Sequence, residues 1–281
     1  MKIAISSDST CAISQEEAKE MGIYILPLNV IVDGQEYHDG ITIEQGKLNE
    51  MMRGGSKIQT STPTPFEIET YFDNIFNAGY DKIIHFTISS KLSSMFSLFT
   101  ITCKEKYGDK IEVIDSLSVC SFMGNLVRRA KRLADDKKEF NTIVKEVKTY
   151  VNTEEIYFVP ESLTFLKNGG RVSPAVALIG NMLGIKPFLK FHNGEISKQG
   201  TVRTYKKAFN EVIDIYRREG IDPATEEIHV LEFDSKDSCD EVTKMISEAF
   251  PNVDIIRSII SINVCAHTGP GTVGFGKCKK W

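Results

Sequence analysis

In the first half of the chain, short β-branched runs alternate with segments that carry helix start signals. That alternation constrains the fold more than any other feature. "KIAIS" (Lys2 to Ser6) reads as a strand, and "SQEE" (Ser14 to Glu17) is a capping box opening a helix that Gly22 closes. "IYILPLNVIV" reads as extended. "TPFE" (Thr64 to Glu67) is a second capping box, with Pro65 at the first helical position and an end near Gly79. Strand "KIIHFTI", a helix from about Leu92 to Tyr107, strand "KIEVID" and a long helix through "GNLVRRAKRLADD" come next. Strands separated by helices predict βαβ units, hence a parallel sheet with helices on both faces. The segment from about 33 to 57 breaks the alternation with a "DG" turn, a "TIEQ" capping box and "RGG", and reads as a small insertion lying over the sheet.

Beyond about Thr153 the pattern changes. "EIYFVPES" reads as a strand, "LTFLKNGG" as a short helix stopped by glycines, and "SPAVALIGNMLG" as a very apolar helix capped by Ser173. "KPFLKFHNGEISKQG" predicts a hairpin about Asn193-Gly194. Two helices flank strand "EIHVLEF", and the chain finishes in "VDIIRSIISINV", the loop "HTGPGTVG" and "TVGFGKC". At 281 residues the chain is longer than one typical compact domain. The expected fold is therefore α/β in two domains, a parallel-sheet α/β domain over 1–153 with its insertion, and an α+β domain with hairpin-connected strands over 154–281.

Charge and composition exclude several classes. There are 34 Lys+Arg against 38 Asp+Glu, a net charge of −4, with no long basic run, so a nucleic-acid partner is not expected. No window of roughly 18 apolar residues predicts a membrane span, and the N-terminus enters a strand without a signal-peptide core. A soluble cytoplasmic protein without stable membrane insertion is expected. The six cysteines form no CxxC pair and read as free, mostly buried thiols. Cys265 and His267 stand two apart, but no second ligand pair occurs after them, so no metal is expected there. Neither GxxxxGK[ST] nor an early GxGxxG occurs, so nucleotide binding lacks its signature.

Ligands of open α/β sheets bind beyond the carboxyl ends of the strands. That rule places "DST" (Asp8 to Thr10), "SSKLSS" (Ser89 to Ser94) and "DS" (Asp115, Ser116) along one rim. "TSTPTP" (Thr60 to Pro65) is a hydroxyl-rich entry to a helix N-terminus, which suits helix capping and also anions. "HTGPGTVG" (His267 to Gly274) suits a phosphate cradle, a carboxylate grip or a plain turn. Arg171 in "NGGRVSP" stands between a glycine-ended helix and a proline-started one, and Arg203 in "GTVRTYKKA" ends a strand. Each fits a site or a solvated surface. Ser93 or Ser94 with His267 as base would make a Ser/His-dependent esterase or acyltransferase, but no GxSxG and no orienting acid is evident.

Taken in order, "DSTC", "TSTPTP", "SSKLSS", "LTFLKNGGRVSPAVALIGNMLGIKPFL", "GTVRTYKKA" and "HTGPGTVG" resemble the DegV family of bacterial fatty-acid-binding proteins along the full length of the chain. The resemblance implies a non-catalytic lipid carrier of a fatty acid kinase system. Its two domains would enclose a long-chain fatty acid between them, and a separate kinase subunit would phosphorylate the exposed carboxylate. No cofactor besides the bound fatty acid is implied. The family's carboxylate-binding hydroxyls fall on Thr60 and Ser93 and its head-group histidine on His267, with Ser61, Ser94 and Thr268 adjoining. Its arginines for the phosphorylated head group and the kinase contact fall on Arg171 and Arg203. Thr62 stands where the family commonly has glutamine, Ser94 replaces a glycine, and Met95 and Phe96 add bulk beside the head-group helix. The apolar "PAVALIGNMLG" is expected either as ordinary core or as a wall of the lipid tunnel.

Overall fold

The computed structural model describes residues 1–177 and 184–280. The chain opens with β1 (Ile3–Asp8), α1 (Gln15–Met21) and β2 (Tyr24–Leu26). Ser14 caps α1 by accepting from the Glu17 amide, and Gly22 closes it with φ +66°. The reciprocal half of that capping box does not form, because the Glu17 carboxylate turns instead to Arg128. Pro27, lacking an amide hydrogen, divides the predicted long strand in two. After the proline come β3 (Asn29–Val32), β4 (Gln35–His38), α2 (Gln45–Arg53) and β5 (Ile58–Ser61), whose strands form a separate antiparallel sheet in the order β4-β3-β5. Within this segment "TIEQ" is not a capping box. The Thr42 hydroxyl accepts from the His38 amide, and Glu44, at the N-terminus of α2, makes no capping bond.

The first half continues with α3 (Pro65–Asn77), β6 (Lys82–Thr87), α4 (Met95–Tyr107), β7 (Ile111–Asp115), α5 (Cys120–Asp135) and α6 (Phe140–Lys148). The Thr64–Glu67 capping box forms in full. Helix α4 starts at Met95, three residues later than the pattern suggested, because Leu92 and Ser93 are held in a turn by the Ser89 carbonyl. The parallel sheet runs β2-β1-β6-β7. One face, through Ile5, Ile84 and Phe86, packs on Met123 and Val127 of α5; the other meets Phe72 of α3 and Phe99 of α4.

The second half contains β8 (Glu155–Val159), α7 (Thr164–Asn168), α8 (Pro174–Ala177), β9 (Lys186–His192), β10 (Glu195–Val202), α9 (Tyr205–Glu219), β11 (Glu226–Phe233), α10 (Lys236–Ala249), β12 (Asp254–Ile259), α11 (Ile262–Thr268) and β13 (Thr272–Lys279). The order β10-β9-β8-β13-β11-β12 is antiparallel except for β11 against β12. Asn193 and Gly194 make the hairpin turn, with φ of +53° and +80°. Ser173 accepts from the Val176 amide at 3.4 Å, starting the apolar helix as expected; its continuation over 178–183 lies outside the described residues.

Period-two alternation splits this sheet cleanly. Tyr157, Val159, Val230 and Phe275 pack on α9 and α10, whereas Ile156, Phe158 and Phe191 face the first half of the chain. The fold is thus mixed α/β, parallel in its N-terminal region and mostly antiparallel in its C-terminal region, as the sequence predicts. The C-terminal segment differs from expectation. Within "VDIIRSIISINV" β12 ends at Ile259, and the loop expected from His267 is preceded by a helix over Ile262–Thr268. His267 therefore rides on the last turn of α11, not on a glycine loop. All six cysteines are free and buried.

Candidate functional site

Strand β1 lies between β2 and β6, so the topological switch point of the parallel sheet falls at the carboxyl ends of β1 and β6. There Asp8 accepts from the Thr10 amide and hydroxyl at 2.9 and 2.5 Å and from the Ile88 amide at 2.9 Å. "DST" is therefore an internal clamp between neighbouring strand ends, not a ligand group. Asp115 is likewise consumed by the amides of Ser90 and Leu117. Of the rim motifs, "SSKLSS" remains available, though its Ser89 hydroxyl is spent on the Gly194 carbonyl of the hairpin at 2.6 Å.

Across this rim, Thr60 on β5 and His267 on α11 meet, with Oγ1 and Nε2 2.8 Å apart. Thr60 is fixed by pairing of β5 with β3, opposite Val30. Helix α11 is fixed by Asp39, whose carboxylate accepts from the Asn263 amide at 3.1 Å and the Ser9 hydroxyl at 2.8 Å. Burial pushes the Asp39 carboxyl up to about 6, even with those donors. Sequence reading missed Asp39, since nothing local in "HDG" announces a helix more than two hundred residues away. Burial, with a smaller contribution from the Arg171 cation, drives His267 down to about 4, so its ring is neutral near pH 7. Its Nδ1 is buried without a partner among the described residues.

The glycines flanking the site pack helices together. A Cβ on Gly169 would collide with His267 Nδ1, and one on Gly269, at φ +81°, would collide with the Phe165 ring. Both contacts join α7 to α11. Within "HTGPGTVG", Gly269 thus admits Phe165 and Gly271 admits Glu161, whereas Gly274 packs on Phe158.

Ser93 is half-buried and accepts from the Met95 amide at 3.3 Å, while Ser94 is exposed and makes no capping bond to α4. Arg171 donates through Nε to the Leu92 carbonyl at 3.2 Å and through Nη1 to the Gly169 carbonyl. It thereby ties the loop after α7 to "SSKLSS". Thr60, Ser61, Ser93, Ser94, Arg171, His267 and Thr268 all border one cavity of about 130 Å³. Arg203 does not: it is exposed just beyond β10. Cys265 is turned away from His267, donating to the Ile260 carbonyl at 3.2 Å.

This cavity, lined also by Leu28, Ile88, Met95 and Leu166, adjoins an apolar one of about 60 Å³, and Leu92, Ile196, Val264 and Thr268 line both. The apolar compartment is walled by Val119 and Cys120 together with Ile156, Phe158, Phe191 and Leu231 of the C-terminal sheet. Of the apolar helix expected as core or as tunnel wall, Val176 packs in the core, and 178–183 lie outside the described residues. Sequence reading missed the sheet walls, although the alternation in "IYFV" carried the signal. A neutral imidazole with one hydroxyl partner and no orienting acid does not assemble the Ser93–His267 hydrolase pair among the described residues. No described helix is long and apolar enough to cross a membrane.

Known proteins of similar sequence and similar fold belong to one family. The pattern of the DegV family, described as uncharacterised, matches residues 2–280. A DegV domain-containing protein of Caldanaerobacter subterraneus is 30% identical over 97% of each chain. Among solved structures, a DegV family protein of Thermus thermophilus described as fatty acid binding superposes with a TM-score of 0.90 at 25% identity, covering 99% of this chain and 100% of that one. A stearic-acid-binding protein of Eubacterium ventriosum superposes with a TM-score of 0.86 at 26% identity, covering 99% and 98%.

Proposed function

We propose, from the premise that the chain belongs to the DegV family, that it binds a long-chain fatty acid and presents the carboxylate to a separate kinase for acyl-phosphate formation. The observation that carries the binding half is that a cavity holding a cluster of polar groups shares a wall with an apolar one. Hydroxyls, an imidazole and a guanidinium converge at one end, and aliphatic and aromatic side chains at the other. Few ligands other than a single-headed amphiphile satisfy both. Fatty acids are also what the similar Thermus thermophilus and Eubacterium ventriosum proteins are described as binding.

In this reading the carboxylate lies between Thr60, Ser93 and His267, with Ser61, Ser94 and Thr268 at its margin. Arg171 stands at the same cavity and suits a second negative charge once the head group is phosphorylated. Burying the tail gives roughly 0.8 kcal/mol per methylene, on the order of 12 kcal/mol for fifteen, against association costs of about 4–15 kcal/mol. Each hydrogen bond to the carboxylate contributes about 1.5–3 kcal/mol net. The tail sets affinity; the polar cluster sets direction. The two cavities are small beside the roughly 300–1,000 Å³ of typical small-molecule sites. Loading a long chain therefore requires the shared wall at Leu92, Ile196 and Val264 to move.

The kinase half rests on family resemblance and on two features of the chain. The sequence carries no phosphate-binding loop for a nucleotide, so a phosphoryl donor is best supplied by another protein. Arg203 is exposed, outside the cavity and free to meet a partner. The chain then acts as a non-catalytic carrier in the cytoplasm. The mass of any lipid retained by the purified protein tests the binding half, and phosphorylation of the loaded protein by a fatty acid kinase tests the presenting half.

A further inference from the structure

Away from the lipid site, Glu227 and His229 project from the same face of β11, and Cys278 on β13 stands directly opposite Glu227 in the antiparallel ladder. Their Oε1, Nε2 and Sγ atoms lie within 4.8 Å of one another, with 2.9 Å between Glu227 and His229. From α5, the terminal amide of Asn125 points at all three, at 3.0 Å from Glu227, 3.4 Å from His229 and 3.3 Å from Cys278. All four residues are buried. On the far side of the imidazole, His229 Nδ1 lies 2.8 Å from the Ser121 hydroxyl.

We propose that this cluster is a site for a divalent transition-metal ion, best suited to zinc, held by Glu227, His229 and Cys278 and tying α5 to the C-terminal sheet. The donor set of imidazole nitrogen, thiolate sulfur and carboxylate oxygen is the mixture zinc prefers. Ligands about 2.0–2.3 Å from a tetrahedral ion lie roughly 3.3–3.7 Å apart, so an ion would enter by parting the Glu227–His229 hydrogen bond by a few tenths of an ångström. Ser121 stands where a partner fixes the tautomer of a ligating histidine. Turned half round, the Asn125 amide offers an oxygen to the same centre; otherwise water completes the shell.

Charge balance points the same way. Among the described residues Glu227 has Asn125 and His229 as side-chain partners and no Lys or Arg at salt-bridge distance. Buried carboxylates need a counter-charge, and a divalent ion supplies it for Glu227 and the Cys278 thiolate together.

The test is titration of chelator-stripped full-length protein with cobalt(II), read by absorption, and with zinc, read by thermal melting. One equivalent of cobalt should bind with a near-ultraviolet sulfur-to-cobalt charge-transfer band, and zinc should raise Tm. Cys278→Ser should abolish the band, whereas Cys239→Ser, at a buried thiol elsewhere, should keep it. Wild-type protein that takes up no stoichiometric cobalt and shows no zinc-dependent Tm shift would overturn the proposal and leave a plain hydrogen-bonded cluster. A band that survives in Cys278→Ser would overturn it equally.

Discussion

Thr60 Oγ1 and His267 Nε2 are 2.8 Å apart although 207 residues separate them in the chain. A strand of the small antiparallel sheet and the last turn of a C-terminal helix therefore meet to build the polar end of the cavity. Thr60→Val keeps the shape and removes the hydroxyl. One charge-assisted hydrogen bond contributes about 1.5–3 kcal/mol, so fatty acid affinity should fall roughly 10- to 150-fold. Thr60→Ser should restore most of it. Displacement of a fluorescent fatty acid measures both; equal affinities for all three proteins would remove Thr60 from the site.

His267 is held neutral, down to about 4, by burial first and Arg171 second. Its folded value is depressed below the ordinary 6.5, so between about 4 and 6.5 the unfolded chain binds the extra proton. The stability this contributes is fully present above about pH 6.5 and is lost as pH falls towards about 4. A bound carboxylate adds an opposite charge nearby, which favours the imidazolium and should move the midpoint upward. An NMR titration of the His267 ring should show a midpoint near about 4 without ligand and a higher one with palmitate. A ligand-free midpoint at the ordinary 6.5, or no movement on loading, contradicts the assigned environment.

Ile196 borders both compartments. Ile196→Trp should make the wall between them harder to displace. Each methylene kept out of the apolar part forfeits roughly 0.8 kcal/mol, so affinity for palmitate should fall by more than about tenfold while octanoate is nearly unaffected. Calorimetry with the two acids checks this, and parallel losses for both would place the tail elsewhere.

Arg203 is exposed and outside the cavity. Arg203→Ala should therefore leave fatty acid affinity within about twofold, as exposed substitutions generally do. Phosphoryl transfer from a fatty acid kinase to the loaded protein should drop. Normal transfer to the variant would separate Arg203 from the kinase contact.

Local signals carried most of the architecture. Thr64–Glu67, Asn193-Gly194 and Gly22 each form the turn or cap that their chemistry dictates, because the interactions lie within a few residues. Where a local signal met a long-range competitor, the competitor prevailed: Glu17 abandons its capping box for Arg128. Thr42, by contrast, is drawn off by a nearer partner, the His38 amide. The family resemblance brought Thr60, Ser93 and His267 to one place, but the contacts that hold them there left no local trace. Asp39 holding the start of α11, and Gly169 making room for His267, are relationships between distant segments with no local trace. The glycines after His267 were legible as a tight turn, yet not as the packing surface that Gly269 gives Phe165 and Gly271 gives Glu161.

The central claim is that the joined polar and apolar cavities hold a fatty acid. Native mass spectrometry of the protein purified from cells tests it most directly. A retained mass matching one long-chain fatty acid per chain, lost on organic extraction and regained on adding palmitate or oleate, is the predicted result. Protein that is consistently lipid-free and takes up neither acid would contradict the claim.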